Sequence, residues 1–197
     1  MTDVSGGGRT PSRAVEQALV DAAEAVLVRD GLAGLTVRAV AGEAGVAPMG
    51  VYNRFGNKEG LVAAVLARGF DGLAAAVGAD QDADPAARLL ASGRNYRRFA
   101  LAHPQHYAAM FGAGVPLDAV AEELADRAET AFTALVDRVR YGMDRGVLRA
   151  GDVRETAQVI WSCVHGAVSL ELSGVQQTAD PGANYEALLR VLLDGLR

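Results

Sequence analysis

The residues best suited to chemistry fall in two groups. The first lies between Thr36 and Lys58, where Arg38, Arg54 and Lys58 face a single acid, Glu43, for a local charge of +2, with Tyr52 and Asn53 between them. Guanidinium, ammonium, phenol and carboxamide are the groups that bind phosphates and base edges. The chain as a whole is acidic, at -5. Residues 1 to 70 carry seven basic and seven acidic side chains, so the remainder holds the entire deficit. A small cationic face on an acidic body is compatible with DNA binding without demanding it.

The second group lies further along. Trp161 and His165 are four apart, one helical turn, so they share a face. Two readings stand: both line a pocket reached by Tyr96, Phe99, Met110 and Phe111, or Trp161 packs while a backbone carbonyl satisfies His165. Only His103, His106 and His165 are histidines, and no metal or cofactor site is expected from them. Gly112-x-Gly114 lacks the preceding strand and third glycine of a phosphate cradle. Neither a serine nucleophile elbow, a metal-binding triad nor a paired-carboxylate constellation is evident, which argues against an enzyme.

The elements that position these groups read as helices throughout. Residues 13 to 30 place Val15, Leu19, Ala22 and Val26 on one face, and Gly31 offers a stop. Thr36 is suited to cap a short helix over 37–44, and Pro48 to begin another that ends near Phe55. Asn57 caps a third, carrying Leu61, Val65, Leu66, Phe70 and Leu73. Pro85 opens a helix that stops at Pro104, a short one covers 104–111, and Gly112 to Pro116 is a turn. Val120, Leu124, Ala128, Ala131, Leu135, Val139 and Met143 form one stripe of a long helix. Asp152 and Glu155 resemble a capping box before residues 153–172, and Asp180-Pro181 starts the last helix. With no convincing period-two alternation, the expected fold is all-α, about nine helices.

Within 36–55 two short helices meet at a tight turn. Ala41 is small where they touch, Gly45 four positions later tolerates left-handed geometry, and Val51 ten positions after Ala41 anchors the second helix. The helix at 153–172 bears apolar residues over a wide arc, so several sides need cover. A second copy of the chain is the favoured cover, with Val164, Val168, Leu172, Tyr185, Leu189 and Leu192 in the interface. The longest apolar runs fall short of a membrane span, no secretory leader is visible, and the lone Cys163 fits a reducing compartment, so a soluble cytoplasmic protein is expected.

Residues 14 to 61 resemble the N-terminal domain of the tetracycline-repressor (TetR) family of transcriptional regulators. The matching residues are Ala22-Ala23, Gly31, Thr36-Val37-Arg38, Ala41, Gly45-Val46, Val51-Tyr52, Phe55 and Lys58 to Leu61. Trp161, His165 and Gly166, with the His103-Pro104-x-x-Tyr107-x-x-Met110-Phe111 segment, are similar to a subgroup bearing a Trp-x-x-x-His-Gly element. The resemblance implies a tail at 1–12, a DNA-binding domain at 13–60 and a ligand-binding and dimerisation domain at 61–197. It implies phosphate contacts from Thr36, Arg38, Tyr52 and Lys58, and a reading face of Met49, Gly50 and Asn53 in the major groove beside Pro48. The family usually has serine or threonine at position 47 and histidine at 54, where this chain has Ala47 and Arg54; Arg54 would still serve a phosphate. A ligand pocket would draw on Tyr96, Phe99, His103, Tyr107, Met110, Phe111, Trp161 and His165. The implied partners are a double-stranded DNA operator, a small, largely apolar effector that releases it, and a second copy of the chain. The alternative is an all-α binding protein or enzyme whose N-terminal unit is purely structural.

Overall fold

A computed structural model describes residues 12–112 and 117–197, with side chains from 13–112 and 124–197. The expected tail, most of the turn after Gly112, and the Val120 side chain lie outside that range. The described residues form nine helices and no strand. They are α1 (Ser12–Gly34), α2 (Val37–Glu43), α3 (Pro48–Phe55), α4 (Lys58–Gly78), α5 (Pro85–Ala102), α6 (Pro104–Phe111), α7 (Leu117–Asp144), α8 (Val153–Leu172) and α9 (Pro181–Leu196). The chain divides into two compact units that part within α4, between Val65 and Leu66.

In the first unit, α1 is broken at Gly31, whose φ of 68° only glycine adopts cheaply. Leu19, Ala23, Val26 and Leu27 of α1 are buried with Leu35, Val40, Ala41, Val51, Leu61 and Val65. Val15, expected on the same face, stays 40 % exposed because the buried stripe runs one residue out of phase with it. Thr36 caps α2, its Oγ1 accepting from the Ala39 amide at 3.2 Å. The α2 carbonyls are closed off at the turn: Val46 N donates to Ala41 O (2.9 Å) and Gly45 N to Gly42 O (3.3 Å), with Gly45 at φ 65°. That pair of bonds is a Schellman ending, and it fixes the direction in which α3 departs.

The second unit packs α5 against α6, α8 and α9, and α8 against α9. Asp84, Asp152 and Asp180 cap α5, α8 and α9 through their carboxylates. The α4–α5 loop is pinned from α7: buried Arg138 donates to Gly78 O (2.6 Å) and Asp80 O (3.2 Å), and the Tyr141 hydroxyl to Ala83 O (2.9 Å). A guanidinium on the last carbonyls of α4 suits the negative end of that helix. By length and composition alone α4 could cross a membrane, although Arg68 and Asp71 interrupt its apolar run. It is also what a core helix looks like: half of it is buried in the fold, and its Asp71 pairs with Arg127 at 2.8 Å.

Candidate functional site

The first surface is built on α3. Pro48 occupies the first turn and Ala47 provides no side-chain cap, so the start of the helix rests on proline's fixed φ. Val51 is fully buried and locks the helix to its unit, while Pro48, Met49, Gly50, Tyr52 and Asn53 all face outward. Met49 is 64 % and Tyr52 47 % exposed, unusual for side chains of that size and character. A Cβ on Gly50 would meet nothing nearer than Val46 Cγ2 at 3.9 Å, so the fold itself does not require glycine there. Phe55 is half-buried.

Around this face stand Thr36, Arg38 and Lys58, all exposed. With its Oγ1 lone pair on Ala39 N, Thr36 keeps its hydroxyl proton to donate. Lys58 opens α4, where a cation is disfavoured by the helix dipole by roughly 0.3–1 kcal/mol. The same end presents amides suited to an anion, so a phosphate there would offset the penalty. Gly56 at φ 75° ends α3, and Asn57 Oδ1 accepts from Gly60 N at 2.8 Å, which sets Lys58 directly after α3. Arg54 is differently placed: its guanidinium pairs with Glu16 of α1. Sequence spacing could not reveal that tie, because Glu16 is 38 residues away.

The second unit holds a cavity of about 270 Å³. Phe70, Leu73 and Val77 of α4, Leu89 of α5, Ala131, Phe132 and Leu135 of α7, Ile160 of α8 and Leu193 of α9 supply its apolar wall. Among the described residues that line it, none is charged. Its polar side chains are Ser92 and Tyr96, one turn apart on α5, and Trp161 of α8. Behind Tyr96 lies a neutral hydrogen-bonded cluster. The Tyr96 hydroxyl stands 3.0 Å from that of Tyr107 and 2.9 Å from His165 Nδ1, Tyr107 OH is 2.8 Å from the same nitrogen, and Trp161 Nε1 donates to Tyr96 OH at 3.3 Å. Burial raises both phenols above their ordinary values and lowers the imidazole, so all three groups are uncharged near neutrality.

The eight residues expected at a ligand site therefore separate. Tyr96, Phe111 and Trp161 line the cavity, and Tyr107 and His165 stand immediately behind, holding Tyr96. The Trp161 indole lines the cavity, whereas His165 does not, and its Nδ1 is met by two phenol hydroxyls rather than by a backbone carbonyl. Met110 is not in the wall. It fills the space above Gly69, where a Cβ would approach its sulfur to 2.8 Å. Phe99 and His103 border a separate shallow depression with Asn95 and Arg98. Most of the apolar wall was missed, since its residues come from six helices and only the assembled fold brings them together.

Of the residues expected at a dimer interface, Val164, Val168, Tyr185 and Leu189 are buried in their own unit, and Val164, Leu189 and Leu192 line the cavity; Leu172 and Leu192 are half-buried. The four buried side chains are turned inward by their helices. The outward apolar residues are Val159 and Leu170 on α8, each 53 % exposed, and Val191 on α9, 69 % exposed. Between Val159 and Leu170 run the small, half-exposed Cys163, Gly166 and Ala167.

Comparison with known proteins agrees with both units. Residues 19–65 match the family described as bacterial regulatory proteins of the tetR family, and residues 89–194 the tetracyclin repressor-like C-terminal domain. The HTH-type transcriptional regulator Rv1816 of Mycobacterium tuberculosis is 25 % identical, covering 95 % of this chain and 94 % of its own. The regulator Rv0681 of the same species is 28 % identical over 94 % of this chain and 83 % of its own. A protein of unknown function from Rhodococcus sp. RHA1 superposes with a TM-score of 0.82 at 25 % identity, covering 98 % of this chain and 99 % of that one. The chain belongs to the TetR family: it is a DNA-binding transcriptional regulator with a C-terminal ligand-binding domain.

Proposed function

We propose that the chain is a homodimeric repressor, acting in the cytoplasm by binding rather than by turnover, which leaves its operator when a small, largely apolar effector fills the cavity. Residues 13–60 are the DNA-binding domain, and residues 61–197 bind the effector and dimerise. Two α3 helices would enter successive major grooves about 34–36 Å apart on a pseudo-palindromic site in double-stranded DNA. The observation that carries the reading is the outward face of α3, where Met49, Gly50 and Asn53 project from a helix fixed by buried Val51. Asn53 can pair bidentately with adenine, and Gly50 allows close approach. Thr36, Arg38, Tyr52 and Lys58 hold phosphates around it. Arg54 reaches a phosphate only in competition with Glu16.

Copies pair through the outward stripe of α8 and α9, with Val159, Leu170 and Val191 at its centre and Gly166 letting the helices approach. Trp161, His165 and Gly166 serve as the Trp-x-x-x-His-Gly element, with the first in the cavity wall, the second bracing Tyr96 and the third on the dimer face. An effector acts only through its different affinity for the two states; a 100-fold preference supplies about 2.7 kcal/mol. The test is a mobility shift on the intergenic DNA upstream of the protein's own gene and on selected random sequences. A salt-sensitive, sequence-specific shift supports the reading. No specific shift at any sequence overturns it, and transcription that rises with bound protein overturns repression.

A further inference from the structure

We propose that the cavity takes an uncharged alcohol or phenol of roughly 10–12 non-hydrogen atoms, its hydroxyl docked between Ser92 and Tyr96. The inference rests on the cavity being the effector site and goes on to name what the effector is chemically. Size comes first. An apolar cavity of about 150 Å³ is known to hold benzene, with six heavy atoms. A volume of about 270 Å³ scales that to roughly eleven.

Charge is decided by what the wall can solvate. A buried ion needs a partner, and without one its desolvation far exceeds what apolar contact returns. None of the described lining residues carries a charge. The cations beside the polar pair on α5 are committed elsewhere: Arg94 to Glu186 at 2.8 Å on both arms, and Arg97 to Glu171 at 2.8 and 2.5 Å. His165 offers no charge to a carboxylate, because burial keeps it neutral.

The polar group follows from counting protons in the cluster. Assigning the neutral imidazole's proton to Nε2 lets Nδ1 accept from the Tyr107 hydroxyl and directs the Tyr96 proton to the Tyr107 oxygen or to Nδ1, both within hydrogen-bond distance. The Tyr96 oxygen receives Trp161 Nε1–H on one lone pair and retains the other. The cavity thus presents an acceptor at Tyr96 and, one turn back, the Ser92 hydroxyl. A ligand hydroxyl matches both, donating to Tyr96 and accepting from Ser92. An unsubstituted hydrocarbon leaves the Ser92 hydroxyl and the spare Tyr96 lone pair unused.

The experiment is isothermal titration of the full chain at pH 7 with two matched sets. One is rigid: naphthalene, 2-naphthol, 2-naphthoate and 2-naphthylmethylammonium. The other is flexible: 1-decanol, decanoate and decylammonium. The neutral hydroxyl compound of at least one set is expected to bind ten-fold or more tightly than its charged counterparts. Ser92→Ala and Tyr96→Phe, both first shown to melt cooperatively, should bring 2-naphthol toward the affinity of naphthalene. Charged probes binding as well, naphthalene matching 2-naphthol, or no binding in either set each overturn the proposal. A mobility shift on the same samples separates the two readings. A chain that shifts DNA but prefers charged probes keeps the regulator and loses this ligand class. A chain that binds 2-naphthol but shifts no DNA does the reverse.

Discussion

Lys58 and His165 show how a single residue is shaped by its surroundings. Lys58 is exposed at the head of a helix, where its charge opposes the dipole, and its worth lies in what it meets from outside. Lys58→Glu should weaken DNA binding about equally across sequences and flatten the log–log salt dependence by roughly one ion or more. Filter binding at several salt concentrations checks it, and an unchanged slope places Lys58 off the DNA. His165 has the opposite situation, being held neutral inside. Its folded pKa is lowered by burial, so the unfolded chain takes up a proton near pH 6.5 that the folded chain refuses. The stability it contributes is present above that pH and lost as pH falls below it. Thermal melts from pH 7.5 to 5.5 should show a falling midpoint, with a shallower fall in His165→Gln.

At the scale of the element, the helix-turn-helix was legible because its rules are local. Ala41, Gly45 and Val51 act within ten residues, and the structure places them as their types require: two buried, one at positive φ. Proline-led starts and aspartate caps were legible for the same reason. Gly60 was recognised only as part of a motif, and its physical reason needs coordinates. A Cβ there would stand 2.1 Å from the Phe55 carbonyl oxygen, so the junction of α3 and α4 closes only over glycine. Gly60→Ala should cost about 1–3 kcal/mol despite alanine's better helix propensity. Urea denaturation checks it, and a gain in stability would mean the junction relaxes. What could not be read was which side of an apolar helix faces in. Both Val164–Val168 and Val159–Leu170 fit helical spacing on α8, and periodicity does not say which meets the core.

For the whole molecule, that ambiguity changes where an assembly should be broken. Val168 is fully buried in its own unit, so a charge there would unfold the chain and say nothing about association. Leu170→Asp or Val191→Asp alters only outward surface and should yield a folded monomer by sedimentation equilibrium. A dimer of unchanged strength with both substitutions together would move the interface off this face. The cavity was illegible on similar grounds: its wall is assembled from residues 70 to 196, and only its aromatic end left a mark in the sequence.

That aromatic end has an optical consequence. Trp161 is the only tryptophan in the chain; its ring forms part of the cavity wall, flanked by Phe132 at 5.9 Å and Phe111 at 6.1 Å, and its N–H is held by Tyr96. All the indole fluorescence of the protein therefore originates beside the cavity. Filling the cavity should change the emission maximum or quench it in proportion to occupancy, and the unmodified protein becomes its own spectroscopic gauge. Emission that stays constant through a saturating calorimetric titration would place the bound molecule away from this wall.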